Sequence, residues 1–193
     1  MSPAPFPELR TARFLLRRIV PADAEAVFVG LSDPRVIRHY GVSYRTREEA
    51  EVQMRWFEDL LAQGTGIWWA VCEPSNPATL IGATGLNGVC TKHLTGELGY
   101  WLLPDHWGRG VAGECVAAVL AYGYDVMKLH RVAADVDVDN FRSIALLERL
   151  GFQFEGVRRG CELKDGRHLD LRVYSRLATD PAPALASGRQ GHP

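Results

Sequence analysis

A glycine-rich turn between an apolar strand and a helix constrains the fold of this chain more than any other feature. The strand covers residues 97–103, and the turn lies within 106–114, where a helix begins. The first N–H groups of a helix have no partner inside it and lie at the positive end of its dipole. Gly108, Gly110 and Ala112 carry little or no side chain, so a pyrophosphate can contact the backbone there. The turn therefore predicts a site for a phosphate-bearing ligand.

Two better-known phosphate-binding motifs do not account for this turn. Gly108, Gly110 and Gly113 satisfy the dinucleotide fingerprint G-x-G-x-x-G. A dinucleotide fold, however, places this turn after its first strand and needs several further strand–helix units, whereas here the turn lies past the middle of the chain. A nucleotide-kinase P-loop also requires Gly-Lys-Ser/Thr, which does not follow. A dinucleotide-dependent oxidoreductase is therefore disfavoured.

The turn instead resembles the acyl-coenzyme A pyrophosphate loop of the GNAT N-acetyltransferases. Their pattern, Arg/Gln-x-x-Gly-x-Gly/Ala, corresponds to residues 107–112, and the chain departs from it only at Trp107. This tryptophan and the preceding Gly99-Tyr100-Trp101 resemble the RimJ/RimL-like branch, which acetylates ribosomal-protein N-termini. The resemblance covers about residues 9–177. Other segments that resemble the family are Arg13-Phe14-Leu15-Leu16-Arg17, Ser32-Asp33-Pro34-Arg35-Val36, His130-Arg131-Val132, Asn140-x-x-Ser143 and Glu148-Arg149-Leu150-Gly151-Phe152.

Periodicity and turn signals predict a mixed α/β order along the chain. Strands are expected over about 14–19, 67–72, 80–86, 97–103, 131–138, 152–157 and 169–174. Helices are expected over about 21–31, from 34, over 46–63, from the glycine turn to about 127, and from 140 to about 150. Asp33, Thr46 and Asn140 are suited to cap helix N-termini, and Gly64 and Gly151 are natural helix ends.

The resemblance implies an α/β (α+β) fold of the GNAT type, with a central, mostly antiparallel sheet flanked by helices. In that fold the two strands beside the loop helix splay apart at the cofactor. We expect a single domain over residues 9–178, preceded by an N-terminal arm over 1–8. The tail over 179–193 is rich in Pro, Ala, Ser and Gly, a composition typical of disorder.

Composition describes an ordinary globular chain. With a formal net charge of -1 there is no case for general nucleic-acid affinity. No apolar run is long enough to span a bilayer, and the N-terminus lacks the apolar core of a signal peptide, so we expect a cytoplasmic protein without a membrane partner. A monomer and a homodimer are both compatible with the sequence. No metal site is expected, because the four cysteines form no C-x-x-C pair: Cys72, Cys90, Cys115 and Cys161.

The resemblance implies acetyl-CoA as the co-substrate. Its pantetheine arm would pair with main-chain groups of the strand before the loop, at Leu102 and Leu103. Asn140 and Ser143, at the start of the next helix, would also contact it. Asn140 is suited to cap that helix at the same time. The pyrophosphate would lie on the loop residues Gly108, Arg109, Gly110, Val111, Ala112 and Gly113.

Acetyl transfer to an amine requires the amine to lose a proton and the thiolate to leave. An α-amino group has a pKa of about 8 and a lysine amine of about 10.4, so a base is needed more for lysine. Glu97, at the start of the strand that would carry the cofactor, is the candidate base, although an exposed strand-edge glutamate is an equal interpretation. Asp105 and His106 are alternatives in the loop. His106 has a suitable intrinsic pKa but lies beside the phosphate turn.

The candidate groups near the sulfur depart from the general family pattern. Many GNAT enzymes have a tyrosine acid four residues before the Gly-Phe that follows this helix, and that position is Leu147 here. Ser143 resembles the serine that the ribosomal-protein branch is thought to use near the sulfur. A hydroxyl is a poor acid, so positioning is its expected role, unless Ser143 only hydrogen-bonds the helix backbone. Tyr100 and Trp101 alternate in the strand, so one is expected on each side of the sheet.

The acceptor is open at this stage. Branch resemblance favours the α-amino group of a protein N-terminus, whereas a polyamine, an amino acid or an aminoglycoside is compatible with the same fold. A cluster of acidic residues around a pocket would favour a polyamine. A non-catalytic acyl-CoA-binding module is a further alternative, and the presence of Glu97 and Ser143 favours an enzyme. Arg109 faces either the phosphates or solvent, and Glu114 favours the helix N-terminus electrostatically.

Overall fold

The structure is a computed structural model that describes residues 5–181. Within this range one sheet has the strand order β1-β2-β3-β4-β5-β6-β8-β7. The strands are β1 Leu9–Arg10, β2 Leu15–Arg18, β3 Ile67–Glu73, β4 Asn76–Cys90, β5 Thr95–Leu102, β6 Arg131–Asp137, β7 Gln153–Lys164 and β8 Arg167–Leu177. The helices are α1 Ala24–Ser32, α2 Pro34–Ile37, α3 Arg47–Gln63, α4 Val111–Asp125 and α5 Phe141–Arg149.

The predicted helix boundaries are confirmed by their capping geometry. Asp33 Oδ1 accepts a hydrogen bond from the Arg35 N–H at 2.8 Å at the start of α2. Thr46 Oγ1 accepts from the Glu49 N–H at 3.2 Å at the start of α3. Helix α3 ends at Gly64, which adopts a φ of 67° that glycine takes without steric cost. These boundaries depend on neighbours in sequence and are therefore readable before folding.

One parallel pair interrupts an otherwise antiparallel sheet. Strand β5 pairs with β6 only from Thr95 to Glu97, opposite 131–133. Beyond Glu97, β5 continues along β4 to Leu102, while β6 continues along β8 to Asp137. The two strands therefore separate after Glu97 and leave an opening between them, as the resemblance implied. The predicted mixed α/β sheet flanked by helices is confirmed.

The two faces of the sheet carry separate cores. Tyr100 packs against the core under α4 and α5, which includes Leu98 and Leu102. Trp101 packs against the core under α1 and α3, together with Trp68. The expectation that Tyr100 and Trp101 face opposite sides is confirmed, because side chains alternate along a regular strand.

The last two strands are longer than the sequence pattern predicts. They form one hairpin whose tip is Asp165-Gly166, both residues with positive φ, 48° and 75°. Asp-Gly in this conformation is a favoured two-residue hairpin turn, and it lets both strands extend to the tip. At the tip, the Lys164 ammonium donates to the carbonyls of Ile37 and Tyr40, beside the end of α2. The hairpin thereby reaches across to the segment after α2.

The two ends of the chain are described only in part. In the N-terminal arm, the Pro7 carbonyl accepts a hydrogen bond from Trp69 Nε1 at 2.6 Å, which holds the arm against the sheet. Residues 1–4 of the arm and 182–193 of the tail that was expected to be disordered lie outside the described residues. In the described part of the chain, no helix combines the length and apolarity required to cross a membrane.

Candidate active site

The glycine loop presents main-chain donors at the start of α4. Gly108 and Gly110 adopt left-handed φ values of 72° and 75°, which most other residues reach only with strain. Gly110 is the N-cap of α4 and supplies no side-chain hydrogen bond to it. By helix geometry the N–H groups of Val111, Ala112 and Gly113 then have no acceptor inside the helix. The start of α4 therefore presents main-chain donors of the kind that anion sites use.

Glu114 anchors this loop to the turn between β1 and β2. Its carboxylate accepts hydrogen bonds from the Thr11 hydroxyl at 2.6 Å, from the Arg13 N–H at 2.8 Å and from Arg13 Nε at 2.7 Å. Burial by itself raises the pKa of Glu114, but the hydrogen bonds from Thr11 and Arg13 outweigh it and lower that pKa. Arg13 also donates to the Arg109 carbonyl at 3.0 Å. The sequence suggested only an electrostatic role for Glu114 and did not predict these contacts, which join residues about a hundred positions apart.

Trp107 ties the loop to the end of β5. Its indole Nε1 donates to the Leu102 carbonyl at 2.8 Å. The Arg142 guanidinium of α5 lies 5.6 Å from the centre of the indole ring, within the range of a cation–π contact. Trp107, the residue that departs from the general loop pattern, thus holds β5, the loop and α5 together.

The main-chain groups of β5 divide between its two sides. The Leu103 N–H donates to the Ile81 carbonyl at 2.9 Å, and the Leu103 carbonyl accepts from the His106 N–H at 3.0 Å. Because successive residues of a strand turn their main-chain groups to alternate sides, those of Leu102 and Tyr100 face the opening between β5 and β6. Of the two leucines predicted to contact the cofactor through the main chain, Leu102 has its N–H at the opening but its carbonyl already accepts from Trp107, whereas Leu103 is engaged through both groups.

Helix α5 begins with the predicted cap and brings Ser143 to the opening. Asn140 Oδ1 accepts from the Ser143 N–H at 3.2 Å. The Ser143 hydroxyl forms a hydrogen bond with the Tyr100 hydroxyl of β5, which the sequence did not predict. Burial raises the pKa of Tyr100 to about 12. Leu147 is 1% exposed and belongs to the core, so the tyrosine of the general family pattern is replaced here by an apolar core residue.

Glu97 lies where β5 and β6 part. Its side chain is exposed and has no ion-pair or hydrogen-bond partner among residues 5–181. The register of β5 against β4 is regular from Glu97 to Leu102, so Glu97 points to the same face as Trp101. Glu97 and Ser143 therefore approach the opening from opposite faces of the sheet.

A single cavity of about 2020 Å³ joins these features. It is lined by Glu97, Ser143, Asn140, Leu102 and loop residues that include Gly108 and Gly110–Gly113. His106 also lines it, and its buried Nδ1 has no hydrogen-bond partner in the described part of the chain. Asp105 is exposed and is not part of the lining. The structure therefore brings the predicted base and serine into one space with the loop.

Charged side chains of both signs line the cavity away from the loop. Asp137 pairs with His39 Nδ1 at 2.8 Å, and Asp135 pairs with Arg158. Burial by itself raises the pKa of Asp137, but the hydrogen bond from His39 contributes most to the net lowering of that pKa. The His39 contact joins the segment after α2 to the end of β6 at the wall of the cavity. This pair was not predicted from the sequence, because its members lie 98 positions apart.

Comparisons with known proteins agree with this geometry. A family model described as an acetyltransferase (GNAT) domain matches residues 13–153. The chain is 38% identical over 171 residues to the uncharacterized N-acetyltransferase YoaA of Bacillus subtilis (strain 168). The matched region covers 88% of this chain and 96% of that protein. The structure of RimL, a ribosomal L7/L12 alpha-N-protein acetyltransferase in complex with coenzyme A, has a TM-score of 0.79 at 18% identity and covers 89% of this chain and 98% of RimL. A spermidine N-acetyltransferase from Vibrio cholerae in complex with CoA and spermine has a TM-score of 0.77 at 21% identity, with 86% and 96% covered.

The chain belongs to the GNAT family of acetyltransferases. It is an acyltransferase that depends on acetyl-CoA. The predicted resemblance to the RimJ/RimL-like branch is confirmed by similarity to the ribosomal-protein-serine acetyltransferase of Escherichia coli (strain K12), which is 30% identical over 98 residues, 51% of this chain and 55% of that protein. The two solved relatives are named for different amines, a protein N-terminus and spermidine, and their identities to this chain show the fold alone. The acceptor must therefore be argued from the chain's own residues.

Proposed function

We propose that the chain transfers the acetyl group of acetyl-CoA to the α-amino group of a protein N-terminus. The observation that carries this proposal is the shared cavity, in which the glycine loop, the free edge of β5, Glu97 and Ser143 meet. The loop provides donors for a pyrophosphate, and the Leu102 N–H provides a main-chain donor for an extended pantetheine arm. In this proposal Asn140 and Ser143 complete the acyl-CoA site, and Glu97 faces the amine.

The proposed reaction needs one base and one group near sulfur. Glu97 takes a proton from the ammonium group of the acceptor, directly or through water. The free amine attacks the carbonyl carbon, the C–S bond breaks with its electron pair going to sulfur, and the nitrogen loses its second proton to water. A thiol has a pKa of about 8.5, so the thiolate is already a fair leaving group and takes its proton from water afterwards. Ser143 needs only to donate a hydrogen bond to it.

The balance of charge in the cavity favours a peptide N-terminus over a polyamine. The arginines of the lining are Arg35, Arg38, Arg142, Arg149 and Arg158. The carboxylates of the lining are Glu97, Asp135, Asp137, Asp139, Glu148 and Glu162. Because the two sets are nearly equal in number, the lining has little net attraction for a ligand with several positive charges. A peptide whose charged group at the site is one α-amine fits such a lining better.

An acetyl-CoA thiol-release assay over a panel of amines tests this function. The panel contains N-terminal peptides, spermidine, free amino acids and an aminoglycoside. We expect the highest kcat/KM with an N-terminal peptide. Turnover confined to spermidine or an aminoglycoside would contradict the proposed acceptor, and no turnover with any amine would contradict the proposed function.

Glu97→Gln tests the base. We expect kcat to fall about tenfold or more at pH 7 with the KM for acetyl-CoA unchanged, since a general base typically contributes on the order of a hundredfold or more. For an α-amine the loss should shrink above about pH 8, where the acceptor is already deprotonated. Glu58→Gln, which removes an exposed carboxylate of α3 outside the cavity, is the matched control. An unchanged pH–rate profile in the Glu97 variant would show that Glu97 is only an edge residue.

A further inference from the structure

The opening between β5 and β6 is bridged by two hydroxyl groups. Tyr100 extends from β5 and Ser143 from the first turn of α5, and their oxygens form a hydrogen bond. The two residues are 43 positions apart in sequence. Ser143 is held independently at its main chain, because its N–H donates to Asn140 Oδ1 at 3.2 Å. The backbone of α5 thus fixes the serine, and Tyr100 fixes the direction of its hydroxyl.

The hydrogen bond has a preferred direction. Neither hydroxyl has another hydrogen-bond partner in the part of the chain that is described. Tyr100 is half-buried and packs against the core, and if Ser143 donated to it the phenol hydrogen would have no acceptor in the described part of the chain. Burial also raises the pKa of Tyr100 to about 12, so the phenol keeps its proton at neutral pH. Tyr100 therefore donates and Ser143 accepts, and the hydrogen of Ser143 is left to point into the cavity.

We propose that Tyr100 is a positioning residue for acetyl transfer, which orients the Ser143 hydroxyl as a hydrogen-bond donor to the leaving thiolate. The inference rests on the proposed function, since it requires Ser143 to lie beside the sulfur. When the C–S bond breaks and its electron pair goes to sulfur, Ser143 donates to that sulfur while Tyr100 donates to the Ser143 oxygen. Donation into the serine oxygen polarises its O–H bond and strengthens its own donation. No proton leaves either residue.

This arrangement also explains how the chain works without the tyrosine of the general family pattern. That position is Leu147, which is buried in the core and offers no donor. The Tyr100 phenol of β5 instead reaches α5 from the opposite side of the opening and acts through Ser143.

A double-mutant cycle tests the coupling of the two hydroxyls. Four proteins are compared: the parent, Tyr100→Phe, Ser143→Ala and the double variant. The kcat and the KM for acetyl-CoA are measured with the best amine of the panel. We expect Ser143→Ala to lower kcat about tenfold and Tyr100→Phe about five- to tenfold, each with KM changed less than about twofold. In the Ser143→Ala background, Tyr100→Phe should change kcat by less than about twofold, because the group through which it acts is gone.

Tyr124→Phe is the matched control. Tyr124 is likewise half-buried, its hydroxyl donates one hydrogen bond to the Arg176 carbonyl at 3.0 Å, and it lies outside the cavity. Burial likewise raises its pKa to about 12. Its removal should leave kcat unchanged, and thermal unfolding verifies that each variant is folded. If Tyr100→Phe and Tyr124→Phe lose equal stability but only Tyr100→Phe lowers kcat, the Tyr100 hydroxyl positions Ser143 and is not merely structural.

The outcomes of the cycle distinguish this inference from the proposed function. If Tyr100→Phe leaves kcat unchanged, or lowers it by the same factor in both backgrounds, Tyr100 does not act through Ser143 and the inference is wrong while the acetyltransferase function stands. If the parent protein turns over no amine of the panel, the proposed function and the inference are both wrong.

Discussion

Gly110→Asp is the sharpest test of the proposed pyrophosphate site. Gly110 has a φ of 75°, and a Cβ at this position would lie 3.2 Å from Arg13 Nη2, the mobile end of a long side chain. The left-handed backbone costs a non-glycine residue about 1–2 kcal/mol of folding free energy, although Asp and Asn tolerate it better than most. Relative to glycine, an Asp at an N-cap stabilises a helix by only a few tenths of a kcal/mol. The variant should therefore lose about 1 kcal/mol of folding free energy and remain folded.

The expected loss is one of binding, and its size follows from electrostatics. The new carboxylate would lie in front of the same N–H groups of α4 that the pyrophosphate is proposed to contact. Two unit charges 4 Å apart repel by about 1 kcal/mol in water and about 4 kcal/mol at the effective dielectric constant of a protein surface. Because Gly110 is exposed, we take a value of about 2 kcal/mol. This corresponds to a Kd for acetyl-CoA that is weaker by roughly thirtyfold.

Calorimetric titration with acetyl-CoA measures this loss against two controls. Gly110→Asn has nearly the same shape without the charge. Gly88→Asp introduces the same charge at another exposed left-handed glycine, with a φ of 57°, where a Cβ meets nothing within 4 Å. In 1 M salt the Debye length falls to about 3 Å, so the dissociation constants of the Gly110→Asp and Gly110→Asn variants should become nearly equal. Equal affinity of the parent and both Gly110 variants at low salt would refute main-chain binding of the pyrophosphate by this loop.

Two further predictions concern stability. Arg17→Met should lower the free energy of unfolding in urea by about 3–5 kcal/mol, because it leaves a buried carboxylate without its ion-pair partner. That carboxylate belongs to Asp23, which is 2% exposed and pairs with Arg17 at 2.7 Å. The same change at Arg47, whose ion pair is exposed, should cost less than about 1 kcal/mol, and equal losses at the two sites would contradict the reasoning. Hydrogen bonding to Arg131 lowers the pKa of Glu155 to about 2 from an ordinary value of 4.5. This carboxylate therefore stabilises the fold above about pH 4.5 and loses that contribution as the pH falls toward 2, so Glu155→Gln should unfold at a lower temperature at pH 7 and show a smaller decline below pH 4.5. Unchanged pH dependence would contradict the assignment, and high salt should weaken the effect because the pair is partly exposed.

The parts of the site that were predicted from sequence are those formed by neighbouring residues. The glycine loop, the Asn140 cap and the alternation of Tyr100 and Trp101 each depend on a few consecutive positions. Glycine supplies left-handed backbone wherever it occurs, and an amide side chain caps a helix that begins next to it. The Asp165-Gly166 turn belongs to the same class, because Asp-Gly favours this backbone wherever it occurs, and it extends both strands beyond the predicted 152–157 and 169–174.

Contacts between distant segments could not be predicted in the same way. Nothing near Tyr100 in sequence indicates that its hydroxyl meets Ser143, and nothing near Glu114 indicates that it holds Thr11 and Arg13. The hydrogen bond from the Leu103 N–H to the Ile81 carbonyl also depends on the register of β5 against β4. Register and interhelical distance are set by the packing of the whole core, in which each contact depends on many others.

The sequence by itself determined where the chain turns, where its helices begin and end, and which residues have the chemistry for anion binding and acetyl transfer. These properties follow from backbone preferences and side-chain functional groups, which each residue carries wherever it lies. Only the tertiary structure decided that β5 and β6 part after Glu97, and that Glu97 and Ser143 approach one cavity from opposite faces of the sheet. It also decided that Tyr100 bridges the opening to Ser143. Such placement arises because strand pairing joins residues far apart in the chain, so the point at which two strands part depends on the packing of the whole sheet.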